Sequence, residues 1–206
     1  MSLSGGKLAG GNPTEKRVEN DYYATDPLAV EMLLERYSFV GKRLLEPCVG
    51  SGNIAEAVSK YYNKDKKTEK QIDGIDIVDR GYKGTIVQDF LTYEPSSLYD
   101  GVITNPPYSL AKEFVEKSME VVKKNGQVAM FLKVQFLESE KREDLFRKYP
   151  PKYVYVFRNR MATWKNGLAR NPETGRKWST TMTHAWFIWE KGSNSEPVIR
   201  WLDKLA

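Results

Sequence analysis

Cysteine and histidine are almost absent from this chain of 206 residues, with Cys48 and His184 as the single representatives. One of each excludes a disulfide framework and a Cys/His zinc site within one chain, so metal-free chemistry is expected. No apolar run approaches bilayer-spanning length. The first twenty residues are glycine-rich and polar with no apolar centre, which does not match a signal peptide. They read as a flexible arm over 1–20, and the protein as cytoplasmic with no membrane partner. The span 21–206 suffices for one domain with a sizeable core.

Acidic residues are scarce in one region only. The net charge is +5, but 141–177 holds eleven basic and three acidic residues, so it carries +8 and the remainder −3. A polyanion is the natural partner for such a segment.

The stretch Asn105-Pro106-Pro107-Tyr108 follows a short apolar run of strand type and precedes a segment with helical spacing, opened by Ser109. Two prolines cannot continue a helix or a central strand, so a stiff loop at the carboxyl end of a strand is expected, where open α/β sheets bind ligands. Asn105 offers a side-chain acceptor, Pro106 a carbonyl on a restricted backbone, and Tyr108 a ring for stacking. Two acceptors aimed at one NH2 group would turn its lone pair toward an electrophile. The tetrad resembles the catalytic motif of amino-group methyltransferases, above all the adenine-specific (N6) DNA methyltransferases.

Other stretches match that family in order. Asp26-Pro27 starts a helix, with the carboxylate as cap and proline at the first position. The preceding Tyr22, Tyr23 and Thr25 are similar to the segment that closes over the methionine end of S-adenosylmethionine in the family. A strand over 43–46 runs into Glu46-Pro47 and the turn Gly50-Ser51-Gly52-Asn53, where glycines let the backbone approach a ligand at a helix start. The resemblance places Glu46 near the cofactor's ammonium or sulfonium, and Pro47, Gly50, Gly52 and Asn53 in its loop. Cys48 is assigned to packing.

An acid at the end of the second strand suits a ribose diol, and Asp76 is chosen over Asp73 and Asp79. Asp89 and Phe90, leaving a third strand over 85–91, would take the cofactor's adenine. A helix over 109–126, a buried strand over 127–136, a charged helix over 139–149 and aromatic strands over 153–157 and 184–189 follow. The expected architecture is therefore α/β: a Rossmann-like class I methyltransferase fold, with a seven-stranded, mostly parallel sheet, an antiparallel last strand and helices on both faces. No target-recognition insertion follows the tetrad.

Between the last strands lies a basic insertion over 158–183. Arg158, Arg160, Trp164, Lys165, Arg170, Arg176, Lys177 and Trp178 there combine phosphate-binding cations with rings that can stack on bases. The function these features imply is transfer of a methyl from S-adenosylmethionine to the exocyclic amine of adenine in DNA. The same chemistry on RNA adenine or a protein glutamine, and a non-catalytic cofactor-binding module, are the alternatives.

Overall fold

The computed structural model describes residues 22–64 and 69–203; the arm expected over 1–20 lies outside them. Ten strands and four helices follow along those residues: β1 Tyr23–Ala24, α1 Pro27–Leu34, β2 Arg43–Glu46, α2 Asn53–Tyr62, β3 Gln71–Asp76, β4 Ile86–Val87, β5 Tyr99–Thr104, α3 Ala111–Val121, β6 Val122–Lys133, α4 Glu143–Lys148, β7 Tyr153–Phe157, β8 Trp164–Lys165, β9 His184–Glu190 and β10 Val198–Leu202. Eight form one sheet in the order β10-β7-β9-β6-β5-β2-β3-β4, and β1 pairs with β8 in a separate two-stranded ladder. Only β9 runs antiparallel to its sheet neighbours, β6 and β7.

Strand alternation sends side chains to two cores. Leu44, Ile103, Ala129 and Phe131 meet Val30 and Leu33 of α1 and Ile54 and Val58 of α2. Leu45, Val102, Val128 and Met130 meet Phe114 and Met119 of α3 and Leu145 of α4 on the opposite face. This period of two, with apolar residues at both parities, is what a sheet covered on both faces requires.

The sheet has eight strands where seven were expected. The additional one, β10, adds in parallel to β7 at the edge, and Ile199 and Trp201 of β10 are exposed, so no alternation marked it as a strand. The third strand is shorter than expected, because Asp89 turns the chain into a 3-10 turn over Phe90–Thr92. The helix expected to reach 126 stops at Val121, since Val122 joins the sheet opposite Tyr99. Asn125 then takes a left-handed φ of 62° within the return. Ser109 lies inside the turn Tyr108–Leu110 and caps nothing. The charged helix begins at Glu143, after a turn that Ser139 caps. The capping at the chain's first helix is as expected, with Asp26 Oδ1 accepting from the Leu28 N–H at 3.0 Å and Pro27 in the first turn.

Candidate active site

Strand β5 lies between β2 and β6 and delivers Asn105 at its carboxyl end. Asn105 Nδ2 donates to the Tyr23 carbonyl at 3.2 Å. That bond orients the carboxamide and leaves Oδ1 as its acceptor. Pro106 is buried. The Pro107 carbonyl accepts from the Leu110 N–H at 2.9 Å, whereas the Pro106 carbonyl takes no such bond among the described residues. Tyr108 is half-buried, and burial pushes its phenol up, so the hydroxyl stays protonated. Lys133 Nζ stands 5.1 Å from the centre of its ring and the His184 ring 6.1 Å away. A cavity of about 150 Å³ adjoins the tyrosine, lined also by Lys133, Gln135 and Phe136.

His184 is buried, stacks on Phe131 at 4.9 Å, and its Nδ1 lies 2.9 Å from the Met161 carbonyl. Burial lowers its pKa to about 4, so the ring is neutral and Nδ1–H donates to that carbonyl. It forms part of the wall behind Tyr108.

The glycine turn connects β2 to α2. Gly50 and Gly52 have φ of 52° and 91°, a left-handed region that favours glycine. Space reinforces conformation: a Cβ on Gly50 would sit 2.4 Å from the Tyr22 ring, and one on Gly52 would sit 2.3 Å from the Tyr82 ring. The Tyr22 hydroxyl accepts from the Ser51 N–H at 3.0 Å, lies 2.9 Å from Ser51 Oγ, and donates to Asn53 Oδ1 at 3.4 Å.

The acids nearby are engaged by the turn itself. Asp76 Oδ2 accepts from the Gly50 N–H at 2.9 Å, and its Oδ1 from the Val78 N–H at 3.1 Å. Glu46 is buried below the turn, beside the buried Pro47, and accepts from the Ala55 N–H of α2 at 2.8 Å. Burial, with the neighbouring Asp76 charge, pushes the Glu46 carboxyl well above the usual carboxylate range. Asp89 is exposed and caps Leu91 at 2.9 Å. Phe90 is a core residue whose ring lies 5.1 Å from Phe114. Of the acids passed over, Asp73 pairs with Arg43 at 2.9 Å and Asp79 accepts from the Gly81 N–H at 2.8 Å. Thr25 is 2% exposed, and its hydroxyl has no partner among the described residues.

The basic insertion is built in two parts. At its root, Lys165 pairs with Tyr23 and Trp164 with Ala24, and the Asn166 N–H donates to the Tyr22 carbonyl at 2.8 Å. One short ladder thus joins the insertion to the residue whose carbonyl holds Asn105 and to the tyrosine that covers the glycine turn. Farther out, Arg170, Arg176 and Lys177 are exposed on a hairpin, while Trp178 donates its indole N–H to the Leu168 carbonyl. Arg160 is exposed. Arg158 is drawn toward the sheet edge instead, in an ion pair with Asp203 at 2.6 Å.

Three residues at this end of the sheet escaped the sequence reading. Lys133 is the first residue after the apolar run of β6, and the rule that ligands meet parallel strands at their carboxyl ends would have found it. Ile77, directly after Asp76, is 61% exposed, an apolar surface suited to a flat ring. Tyr82 had no local signal, because it reaches Gly52 and Gly74 only through the fold. Among the described residues no group of three His, Cys, Asp or Glu side chains could hold a metal ion, and no helix is long and apolar enough to cross a membrane.

Comparison with known proteins bears on the fold alone. A scan against protein-family models matches none, and a search of curated proteins finds no match either. Solved structures do match. A protein of Listeria monocytogenes described as a class I S-adenosylmethionine-dependent methyltransferase aligns with a TM-score of 0.58 at 15% identity, covering 85% of this chain and 62% of that one. A predicted O-methyltransferase of Agrobacterium tumefaciens aligns at 0.60 and 13% identity, over 88% and 89%. The methyltransferase subunit of a type I restriction-modification system of Streptococcus thermophilus aligns at 0.59 and 17%, over 89% of this chain and 47% of that subunit. The fold is the Rossmann-like one these proteins share. The chain spans about half the length of the restriction subunit and under two thirds of the Listeria protein.

Proposed function

We propose that this chain is an S-adenosylmethionine-dependent methyltransferase acting on the exocyclic amine of adenine in DNA. The observation that carries the reading is the state of Asn105: one N–H of its NH2 group is held by the Tyr23 carbonyl, which fixes the carboxamide and leaves Oδ1 as an acceptor in the loop with Pro106 and Tyr108. An enzyme that must accept hydrogen bonds from an amine needs that orientation. Two further points favour nucleic acid, namely the exposed cations of the insertion and the likeness in fold to a restriction-modification subunit.

The residues present fit the cofactor. The left-handed glycines bring the backbone of the β2–α2 turn within reach of a ligand, and the Thr25 hydroxyl is buried with no partner among the described residues. Tyr23, Thr25, Glu46, Pro47, Gly50, Gly52, Asn53, Asp76, Asp89 and Phe90 are the proposed binding set, with Ile77 as an apolar wall. Each Asp76 oxygen accepts one backbone N–H and retains capacity for a ribose hydroxyl. When bound, S-adenosylmethionine supplies an electrophilic methyl on a sulfonium.

The chain's own residues do the rest. Asn105 Oδ1 and the Pro106 carbonyl accept the two N–H groups of the target amine and draw its lone pair out of conjugation with the ring. Tyr108, protonated and apolar over its face, stacks on a base flipped out of the duplex. Pro107 stiffens the loop between them. The amine becomes acidic as its new bond forms, and Asn105 passes the released proton to water, so no strong base is required. Positioning of this kind is worth roughly 7 to 11 kcal/mol of barrier.

Incubation with methyl-labelled cofactor and, separately, duplex DNA, single-stranded DNA, RNA and cell protein tests the proposal. N6-methyladenine in DNA is the expected product. Label in protein alone, or none in any substrate, overturns it.

A further inference from the structure

Residues 22–25 form a strap that touches both the glycine turn and Asn105, and a turn of the insertion holds the strap. β1 pairs with β8 and with no other strand among the described residues. The Asn166 N–H donates to the Tyr22 carbonyl at 2.8 Å, and the turn closes on itself where the Leu168 N–H donates to the Lys165 carbonyl at 3.2 Å. Asn166 and Gly167 are both left-handed, with φ of 54° and 72°. Two such residues in succession suit a type I′ hairpin turn, for which Asn-Gly is a preferred pair. A two-stranded ladder this short is marginal in water by itself. The placing of the strap therefore depends on what this turn presents to it.

The Tyr22 ring is wedged between two left-handed glycines. A Cβ on Gly50, in the glycine turn, would lie 2.4 Å from its Cε2, and one on Gly167, in the insertion, would lie 3.1 Å from its Cε1 at the opposite edge of the ring. The Cβ on Gly167 would also stand 3.5 Å from Ser51 Oγ. Insertion, strap and glycine turn thus meet in one stack, and the Tyr22 hydroxyl fastens it by accepting from the Ser51 N–H at 3.0 Å. One residue along, Tyr23 faces Lys165 across the ladder, and its carbonyl holds Asn105 Nδ2 at 3.2 Å. Gly175, in the same insertion, makes the contrast. It is left-handed too, with a φ of 66°, yet a Cβ there would meet nothing within 4 Å. Backbone conformation alone accounts for glycine at 175, whereas at 167 contact with Tyr22 adds a second demand.

We propose that the Asn166-Gly167 turn is a positioning element for the reaction: Gly167 lets Tyr22 lie down on the glycine turn, and the same turn places the Tyr23 carbonyl that orients Asn105. The insertion is thereby needed for cofactor capture and for the chemical step, apart from any contact it makes with a substrate. The catalytic half of this inference rests on the methyltransferase reading, and the half that concerns the glycine turn is read without catalysis.

Asparagine tolerates a left-handed φ and adds a Cβ, so Gly167→Asn crowds Tyr22 with little change of backbone, and Gly175→Asn makes the same change in open space. Gly167→Asn should lower the affinity for S-adenosylhomocysteine about fivefold or more, the lower range for an overpacked contact. It should also speed hydrogen exchange of the Ser51 amide, whose bond to Tyr22 is loosened. At saturating cofactor it should lower kcat about tenfold or more through misplacement of Asn105, with KM for duplex DNA within about twofold of wild type. Gly175→Asn should change neither affinity, exchange nor kcat. In a Tyr22→Ala background Gly167→Asn should add nothing further, because the ring it meets is gone. Gly167→Ala, a smaller change of the same sign, serves where the asparagine variant does not fold. Equal losses at 167 and 175, unchanged affinity and exchange in Gly167→Asn, or a loss undiminished by Tyr22→Ala overturns the proposal. A raised KM with kcat intact overturns it too, since the insertion would then act on substrate binding alone. If the wild-type chain methylates nothing, the reading of the target amine fails, while the affinity and exchange contrasts between the two glycine variants still decide whether the turn positions the cofactor site.

Discussion

The carboxyl end of the parallel sheet and the 158–183 insertion use their charged groups in opposite ways. At the sheet, Glu46, Asp76 and Asp89 each accept backbone N–H groups, so the carboxyl oxygens that could serve a ligand also hold the loops in shape. On the hairpin, backbone carbonyls and an asparagine oxygen hold the shape, and the cations of Arg176 and Lys177 face solvent. A site that must close around a small molecule gains from acids that shape their own cradle. A surface that must grip a polyanion gains from cations left outside the fold.

The sharpest break in this comparison lies at Asn105, which belongs to the sheet but is held by a residue paired with the insertion. Asn105→Ala should lower methyl transfer by about 10² to 10³, the usual cost of losing one acceptor aimed at developing charge, while calorimetry with S-adenosylhomocysteine shows nearly unchanged affinity. Activity at the wild-type level would remove Asn105 from the chemistry.

Next in size is Asp76→Ala. The change removes a charged acceptor and frees the Gly50 and Val78 N–H groups, so cofactor affinity should fall by roughly 1.5 to 3 kcal/mol, with a lower melting temperature as well. Loss of melting temperature with no loss of affinity would leave Asp76 a purely structural acid.

The insertion should respond to salt instead. Changing Arg170, Arg176 and Lys177 together to alanine should flatten the plot of log affinity for duplex DNA against log salt by up to about 2.7, at about 0.9 per phosphate. The loss should be similar for all sequences, because phosphate contacts position without specifying. An unaltered slope would mean that these cations touch no phosphate.

A last expected effect, on stability and not on transfer or binding, is a pH dependence at the wall between the two regions. His184 has a pKa lowered by burial from 6.5 to about 4, so the unfolded chain takes up a proton in that window and the folded chain does not. Stability should therefore decline as pH falls from 6.5 toward 4, by on the order of 3 kcal/mol. Thermal melts of wild type and His184→Gln across that range would show it, the variant lacking this part of the slope. Identical slopes would place the acid sensitivity elsewhere.

Much of the site was legible because its residues lie where local rules are strong. Pro106-Pro107 can only end a strand, Gly50 and Gly52 mark a left-handed turn, and Asp26-Pro27 marks a helix start, and all three hold in the structure. The expected limits of α3 and of the third strand failed because Val122 found a sheet partner and Asp89 found an N–H to cap. Both are contests between local preference and tertiary bonding that spacing alone cannot judge.

By itself, then, the sequence determined the order of elements from α1 to β7 together with β9, the loop that carries Asn105 and the placing of the positive charge, since each follows from backbone restriction, side-chain periodicity or composition. Tertiary structure alone decided that Tyr22 and Tyr82 close over Gly50 and Gly52, that Tyr23 holds Asn105, and that β8 of the insertion holds Tyr23. Those contacts join residues far apart in the chain, and nothing in the spacing of either partner records the other. The β1–β8 ladder exists because folding brings a short edge of backbone, with N–H and C=O groups to satisfy, beside another of the same kind, while the tyrosine rings fill the space the glycines leave and the Asn105 amide finds a backbone carbonyl.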